Sequence, residues 1–237
     1  MESSFIPPKD TPEFYNFQGI AHQMEGEYAA AVAQFDKAIE MNPGYVEAYN
    51  NRGVNRFKLG DVDEAEADFS KVIEMDPNHF DGLYNRAFLY KKTERLDKAL
   101  QDFSKAREIS PNEPQAYYML ADTHFFMNDF DRALECINQA ISLNPKNENK
   151  KNCFYYSLRG AINEQRKDWE NALADLNKYI VLEPSDPWGY QMRGYIHLEM
   201  GNSKKGLKDC QSALKHAPLN WPNRSEVENW IKDIESE

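Results

Sequence analysis

Basic side chains are in short supply: 28 Lys and Arg stand against 39 Asp and Glu, a formal net charge of −11. Nucleic acid and anionic membrane surfaces are held by clustered Lys and Arg, so this balance argues against both as partners. Cysteine is scarce as well. Cys136, Cys153 and Cys210 are scattered and odd in number, which argues against a disulfide framework and suits a reducing compartment. No apolar run approaches the roughly 18 residues of a membrane span, so no membrane insertion is expected. The opening MESSFIPPKD has no basic segment followed by an apolar one. No secretory signal is read there and a cytoplasmic location is expected, with a secreted or periplasmic one as the alternative if a leader has been removed. The sequence has no HExxH, no GxSxG and no paired CxxC. GNSKKGLK (201–208) is no phosphate loop, because Leu207 stands where the lysine is needed. No catalytic residue, cofactor or metal is expected, and the chain is read as a non-enzyme.

What the sequence does have is a period. Prolines stand at 43, 77, 111 and 145, each 34 residues after the last, and again at 184 and 218. Five extra residues separate the two series. Aligned on these prolines, one column reads Tyr15, Tyr49, Leu83, Tyr117, Tyr156, Tyr190. Four residues on comes a small column: Gly19, Gly53, Ala87, Ala121, Gly160, Gly194. Later columns read Ala31, Ala65, Ala99, Ala133, Ala172, Gly206, then Phe35, Phe69, Phe103, Ile137, Leu176, Cys210. A last one reads Ala38, Val72, Ala106, Ala140, Tyr179, Ala213. Small and aromatic residues spaced by 3, 4 or 7 mark two amphipathic helices whose backbones approach closely, repeated six times.

These columns resemble the tetratricopeptide repeat over about residues 12–218. The resemblance implies an all-α fold, a right-handed superhelical solenoid of helix hairpins whose concave face holds peptides. Its boundaries would be a tail at 1–11, repeats at 12–45, 46–79, 80–113, 114–147, 148–186 and 187–220, and a capping helix at 221–237. In the last segment Val227, Trp230, Ile231 and Ile234 share one helical face, with Ser225 and Glu228 as a capping box. The insert KNENKK (146–151) precedes repeat 5.

An arginine column asks for an explanation, because Arg52 stands beside Gly53, where a helix packs closely. The column reads Gln18, Arg52, Arg86, Leu120, Arg159, Arg193. Sixteen residues later stands Gln34, Asp68, Asp102, Cys136, Asp175, Asp209. Arg and Asp occur in the same four repeats, a coincidence expected about one time in fifteen by chance. The expectation is an ion pair inside each hairpin: Arg52 with Asp68, Arg86 with Asp102, Arg159 with Asp175, Arg193 with Asp209. The alternative is an arginine row that binds carboxylates or phosphates. His22, His124 and His197 share a column but lie too far apart to hold one metal.

The resemblance places the first helix of each repeat along the groove. Projected onto this chain, the groove candidates are Asn51, Phe57, Tyr84, Asn85, Phe88, Tyr118, Met119, Asp122, Phe125, Phe126, Phe154, Trp188 and Tyr195. Leu158 and Met192 fall on the same face. Aromatics are densest around Tyr84, Phe88, Tyr118, Phe125 and Phe126, flanked by Asp81 and Asp122. A peptide or helix of another protein, combining apolar with basic residues, would suit that face. Asn51 and Asn85 would bond its backbone, and Glu66 would serve as a control on the opposite surface. Family members that clamp the carboxylate end of chaperone tails use lysines where this chain has Asn16, Asn50 and Tyr84, so that clamp is expected to be absent. Self-association as a structural scaffold is the second reading, and a small-molecule pocket the third.

Overall fold

The computed structural model describes residues 7–144 and 152–236. The insert KNENKK and Pro145 lie outside the described residues, as does the start of the tail. Thirteen helices and no strand occur among the described residues. They divide into two compact units, Met1–Asn112 and Glu113–Glu237.

The first unit holds α1 (Pro12–Met24), α2 (Tyr28–Met41), α3 (Val46–Leu59), α4 (Val62–Met75), α5 (Phe80–Lys92) and α6 (Leu96–Ile109). The second holds α7 (Pro114–Phe126), α8 (Phe130–Leu143), α9 (Cys153–Gln165), α10 (Trp169–Leu182), α11 (Pro187–Glu199), α12 (Ser203–His216) and α13 (Arg224–Ser236). Consecutive helices pair as antiparallel hairpins, α1 with α2 through α11 with α12, and α13 packs on α12.

Helix starts are set by proline and caps. Pro12, Pro114 and Pro187 occupy first-turn positions, where a missing N–H costs nothing. Thr11 Oγ1 accepts from the Phe14 amide at 3.2 Å, and Asp186 Oδ1 from the Trp188 amide at 2.9 Å. The expected capping box at Ser225 does not form, because α13 begins at Arg224 and Ser225 is already inside the helix. The turns within hairpins are of one kind. Gly26, Gly60, Glu94, Asn128, Lys167 and Gly201 all adopt positive φ, from 58° to 93°. In that conformation the chain reverses after one residue and the last carbonyls are capped, as by the Gly60 amide on Phe57 O and the Asp61 amide on Arg56 O.

The core lies inside each hairpin. Phe35, Phe69 and Phe103 are fully or almost fully buried. The Phe35 ring sits against Gly19 and the Phe69 ring against Gly53, where a Cβ would come within 2.5 and 2.7 Å. Between hairpins, Val72 fills the space over Gly82, and Tyr179 that over Gly189. Both are departures from a column of alanines, and each is met by a glycine on the next first helix. Ala38 needs no such room and meets Ala48. Burial of a large apolar side chain stabilises by about 1.5–3 kcal/mol, which makes these fitted pairs the main contacts of the stack.

Candidate functional site

The first structural question is where the arginines point. Arg52 donates from Nε to Asp68 Oδ2 at 3.0 Å and from Nη2 to Asp68 Oδ1 at 2.6 Å. The same two-pronged bond joins Arg86 to Asp102, Arg159 to Asp175 and Arg193 to Asp209, at 2.7–2.9 Å. A planar fork on a carboxylate is the geometry arginine provides and lysine cannot. The third prong had no place in the sequence reading. Nη1 of Arg52 donates to Asp36, that of Arg86 to Ser70, that of Arg159 to Asn138 and that of Arg193 to Asn177. Those acceptors lie on the second helix of the preceding hairpin. The signal was a column of short polar residues (Asp36, Ser70, Asn138, Asn177), sixteen before each Arg once the insert is allowed for. Each arginine therefore joins two hairpins. Hydrogen bonds donated to Asp102, Asp175 and Asp209 raise the values of Arg86, Arg159 and Arg193 above the ordinary one, against an opposing effect of burial. At Arg52 burial is the largest influence and lowers it, but Asp68 and Asp36 together outweigh it.

The groove candidates fall into three groups. Met119 is 4 % exposed and Leu158 8 %, so both belong to the core and not to an open surface. Leu158 packs with Tyr155 and Ile162 in the second unit, where α9 lies against α7 and α8. A second group is half-buried by ring contacts. Phe57 meets Phe88 edge to face at 6.1 Å, and Tyr84 stacks on Phe80 at 6.0 Å and meets Phe103 at 5.6 Å. Tyr118 meets Tyr155 at 5.5 Å, Phe125 meets Phe130 at 5.8 Å, and Trp188 meets Tyr179 at 4.9 Å. Tyr118 and Phe125 pack against the core cluster of the second unit, so truncating them would cost stability as well as surface. The third group is open: Phe126 is 62 % exposed and Phe154 59 %.

The asparagines are already engaged. Asn51 Nδ2 donates to Asn16 Oδ1 at 3.1 Å, and Asn85 Nδ2 to Asn50 Oδ1 at 2.9 Å. Each bond links neighbouring first helices with a spacing of 35 residues, so these amides serve the stack first. Gln191 and Glu226 repeat that spacing between α11 and α13. Glu66 is no inert control: it accepts from Arg95 Nη1 at 2.6 Å and from the Tyr90 hydroxyl at 2.9 Å. Burial, then that bond, pushes the Tyr90 phenol up to about 12. Cys210 is buried and its thiol is pushed up to about 11 by desolvation, which leaves it unreactive.

Charge on the first helices differs between units. In α7, α9 and α11 the sequence has no lysine, and the two arginines, Arg159 and Arg193, are both bound to aspartate. Asp122, Glu164 and Glu199 lie on the same helices.

Models of the tetratricopeptide repeat match residues 21–60, 46–79, 69–101 and 92–150. The chain is a tetratricopeptide-repeat protein. None of the matched models describes an enzyme, and such repeats are generally non-catalytic interaction modules. No curated protein matches the sequence. Several solved structures share the fold. PilF of Pseudomonas aeruginosa is 12% identical, with a TM-score of 0.76 over 95% of this chain and 96% of that one. MamA of Desulfovibrio magneticus RS-1, residues 41 to the end, is 23% identical, with a TM-score of 0.65 over 74% and 97%. YrrB, described as a tetratricopeptide-repeat protein with an unusual peptide-binding site, is 20% identical, with a TM-score of 0.67 over 84% and 97%. Identities this low show the all-α solenoid fold alone. No helix among the described residues is long and apolar enough to cross a membrane.

Proposed function

We propose that this tetratricopeptide-repeat protein is a protein-interaction scaffold, and that the first-helix face of its second unit docks a peptide or helix of a partner. The observation that carries the reading is the pair of exposed rings, Phe126 on α7 and Phe154 on α9; α7 has no arginine, and Arg159 of α9 is already bound to aspartate. Large exposed aromatics on helices that carry carboxylates and no lysine suit a ligand that combines apolar anchors with basic side chains. The half-buried Tyr118, Trp188 and Tyr195 would form the floor on which those anchors rest. The peptide-binding site of YrrB, on the same fold, agrees with this use of it.

The test is affinity purification with the wild-type protein, the double variant Phe126→Ala/Phe154→Ala, and Gln139→Ala on the exposed side of α8. Captured proteins should include some that the double variant loses and Gln139→Ala keeps. Each truncation should weaken a purified partner by roughly 2 kcal/mol. Partners kept by the double variant and lost by the α8 variant would sink the reading.

A further inference from the structure

The second unit ends in a recess of about 350 Å³ lined by Leu198, Gly201, Ser203, Trp230, Asp233 and Ile234. The ring of Trp230 in its wall lies 5.8 Å from that of Tyr195 at 33°. Among the described residues, the Tyr195 hydroxyl and the Trp230 indole N–H make no hydrogen bond, and neither Glu199 nor Asp233 has a cationic partner. Lys204, Lys205 and Lys232 are exposed near these carboxylates in sequence and pair with none of them.

α13 puts these groups where a ligand on the first-helix face would meet them. It packs on α12 as α11 packs on α10, and Gln191 Nε2 donates to Glu226 Oε2 at 3.1 Å. α13 thus holds the place of one more first helix, and Trp230 and Asp233 continue the face that Trp188 and Tyr195 begin. The phenol of Tyr195 is raised by burial first and then by the charges of Glu199 and Glu164.

We propose that this recess takes an arginine side chain of the partner polypeptide, its guanidinium against Trp230 and Tyr195 and its charge facing Asp233 and Glu199. The inference rests on the second unit being a docking surface. An aromatic ring attracts a cation through its negative face, and a planar guanidinium stacks on indole better than an ammonium does. Two carboxylates without cationic partners supply the counter-charge, and Ser203 and the Gly201 backbone offer acceptors for the remaining N–H groups.

The probe is a fluorescein-labelled ten-residue peptide alternating arginine and leucine, titrated into the full chain by fluorescence anisotropy. Its counterpart carries citrulline, which has the same shape without the charge, in place of every arginine. The arginine peptide should bind, and the citrulline peptide should bind at least about tenfold more weakly. The double variant Glu199→Gln/Asp233→Asn, at exposed side chains, should weaken the arginine peptide about fivefold or more, while Gln139→Ala leaves it unchanged. Trp230→Leu should do the same, its fold being checked by thermal unfolding because Trp230 also packs on Cys210 and Val227. Equal affinity for both peptides, full affinity in the carboxylate variant, or no binding to the wild type would overturn the inference. Loss in Phe126→Ala/Phe154→Ala with full binding in the recess variants would overturn the recess and leave the docking face standing. The reverse pattern would keep the recess and remove that face.

Discussion

Four arginines each close two junctions at once, one inside a hairpin and one to the hairpin before it. Asp175 is 2 % exposed, so removing its partner leaves a desolvated charge. Arg159→Ala should cost on the order of 3–5 kcal/mol in chemical denaturation. The double change Arg159→Leu/Asp175→Cys, which copies the Leu120 and Cys136 of repeat 4, should cost less than Arg159→Ala alone. A double variant no better than the single one would show that the pair does not act as a unit. Two histidines carry the opposite penalty. Burial holds His124 and His197 below the usual histidine value, and His197 Nδ1 is buried without a partner. A depressed folded-state value favours the neutral ring, so this stability is present above about pH 6.5 and fades as the pH falls. His197→Phe should therefore shrink the drop in Tm between about pH 7 and about pH 5. Equal drops in both proteins would refute the assignment.

Hairpins and their junctions show how departures from a repeat are absorbed. Glu94, Asn128 and Lys167 hold the left-handed turn conformation that Gly26, Gly60 and Gly201 hold without strain. Lys167→Gly should thus stabilise the second unit by roughly 0.5–1 kcal/mol, since relief of the Cβ clash exceeds the added freedom of the unfolded chain. A loss of stability would mean that the lysine side chain contributes more than the strain. Between hairpins, Gly82→Ala would bring a Cβ within 2.5 Å of Val72 Cγ1. It should cost about 1–3 kcal/mol, and adding Val72→Ala should recover much of that by restoring the alanine pair seen at Ala38 and Ala48. Urea unfolding of the two single variants and the double variant measures the coupling directly.

Taken over the full chain, the net charge of −11 gives any basic ligand a long-range attraction beyond its contacts. Association of the arginine–leucine peptide should slow as ionic strength rises, because exposed charges more than about 10 Å apart are screened at 0.1 M salt. The dissociation rate should change less, since it is governed by the rings and the close carboxylates. Stopped-flow measurements at two salt concentrations separate the two rates. A dissociation rate that carries most of the salt effect would contradict this division.

The helix hairpins and the arginine–aspartate partners were legible in the sequence, because each depends on a residue type recurring at a fixed distance along the chain. Gly53 is small because Phe69 sits on it, and Arg52 beside it reaches Asp68 beside Phe69. Two adjacent columns thus report one contact. The groove was less legible. Periodicity puts Met119, Tyr118 and Phe126 on first helices of one kind, yet Met119 is buried, Tyr118 is half-covered by Tyr155, and Phe126 stands open. That difference depends on which neighbours a side chain meets from other helices, whose positions the repeat pattern does not carry. The same holds for Asn51 and Asn85, whose amides look free in sequence and are joined to Asn16 and Asn50 once the helices stack. Trp230, read only as a capping residue, gained a second face when Tyr195 came within 5.8 Å. The sequence alone determined local geometry and the contacts that repeat with it. Exposure and the recess at the C-terminal end were decided by tertiary packing, because both depend on what adjoining helices leave uncovered.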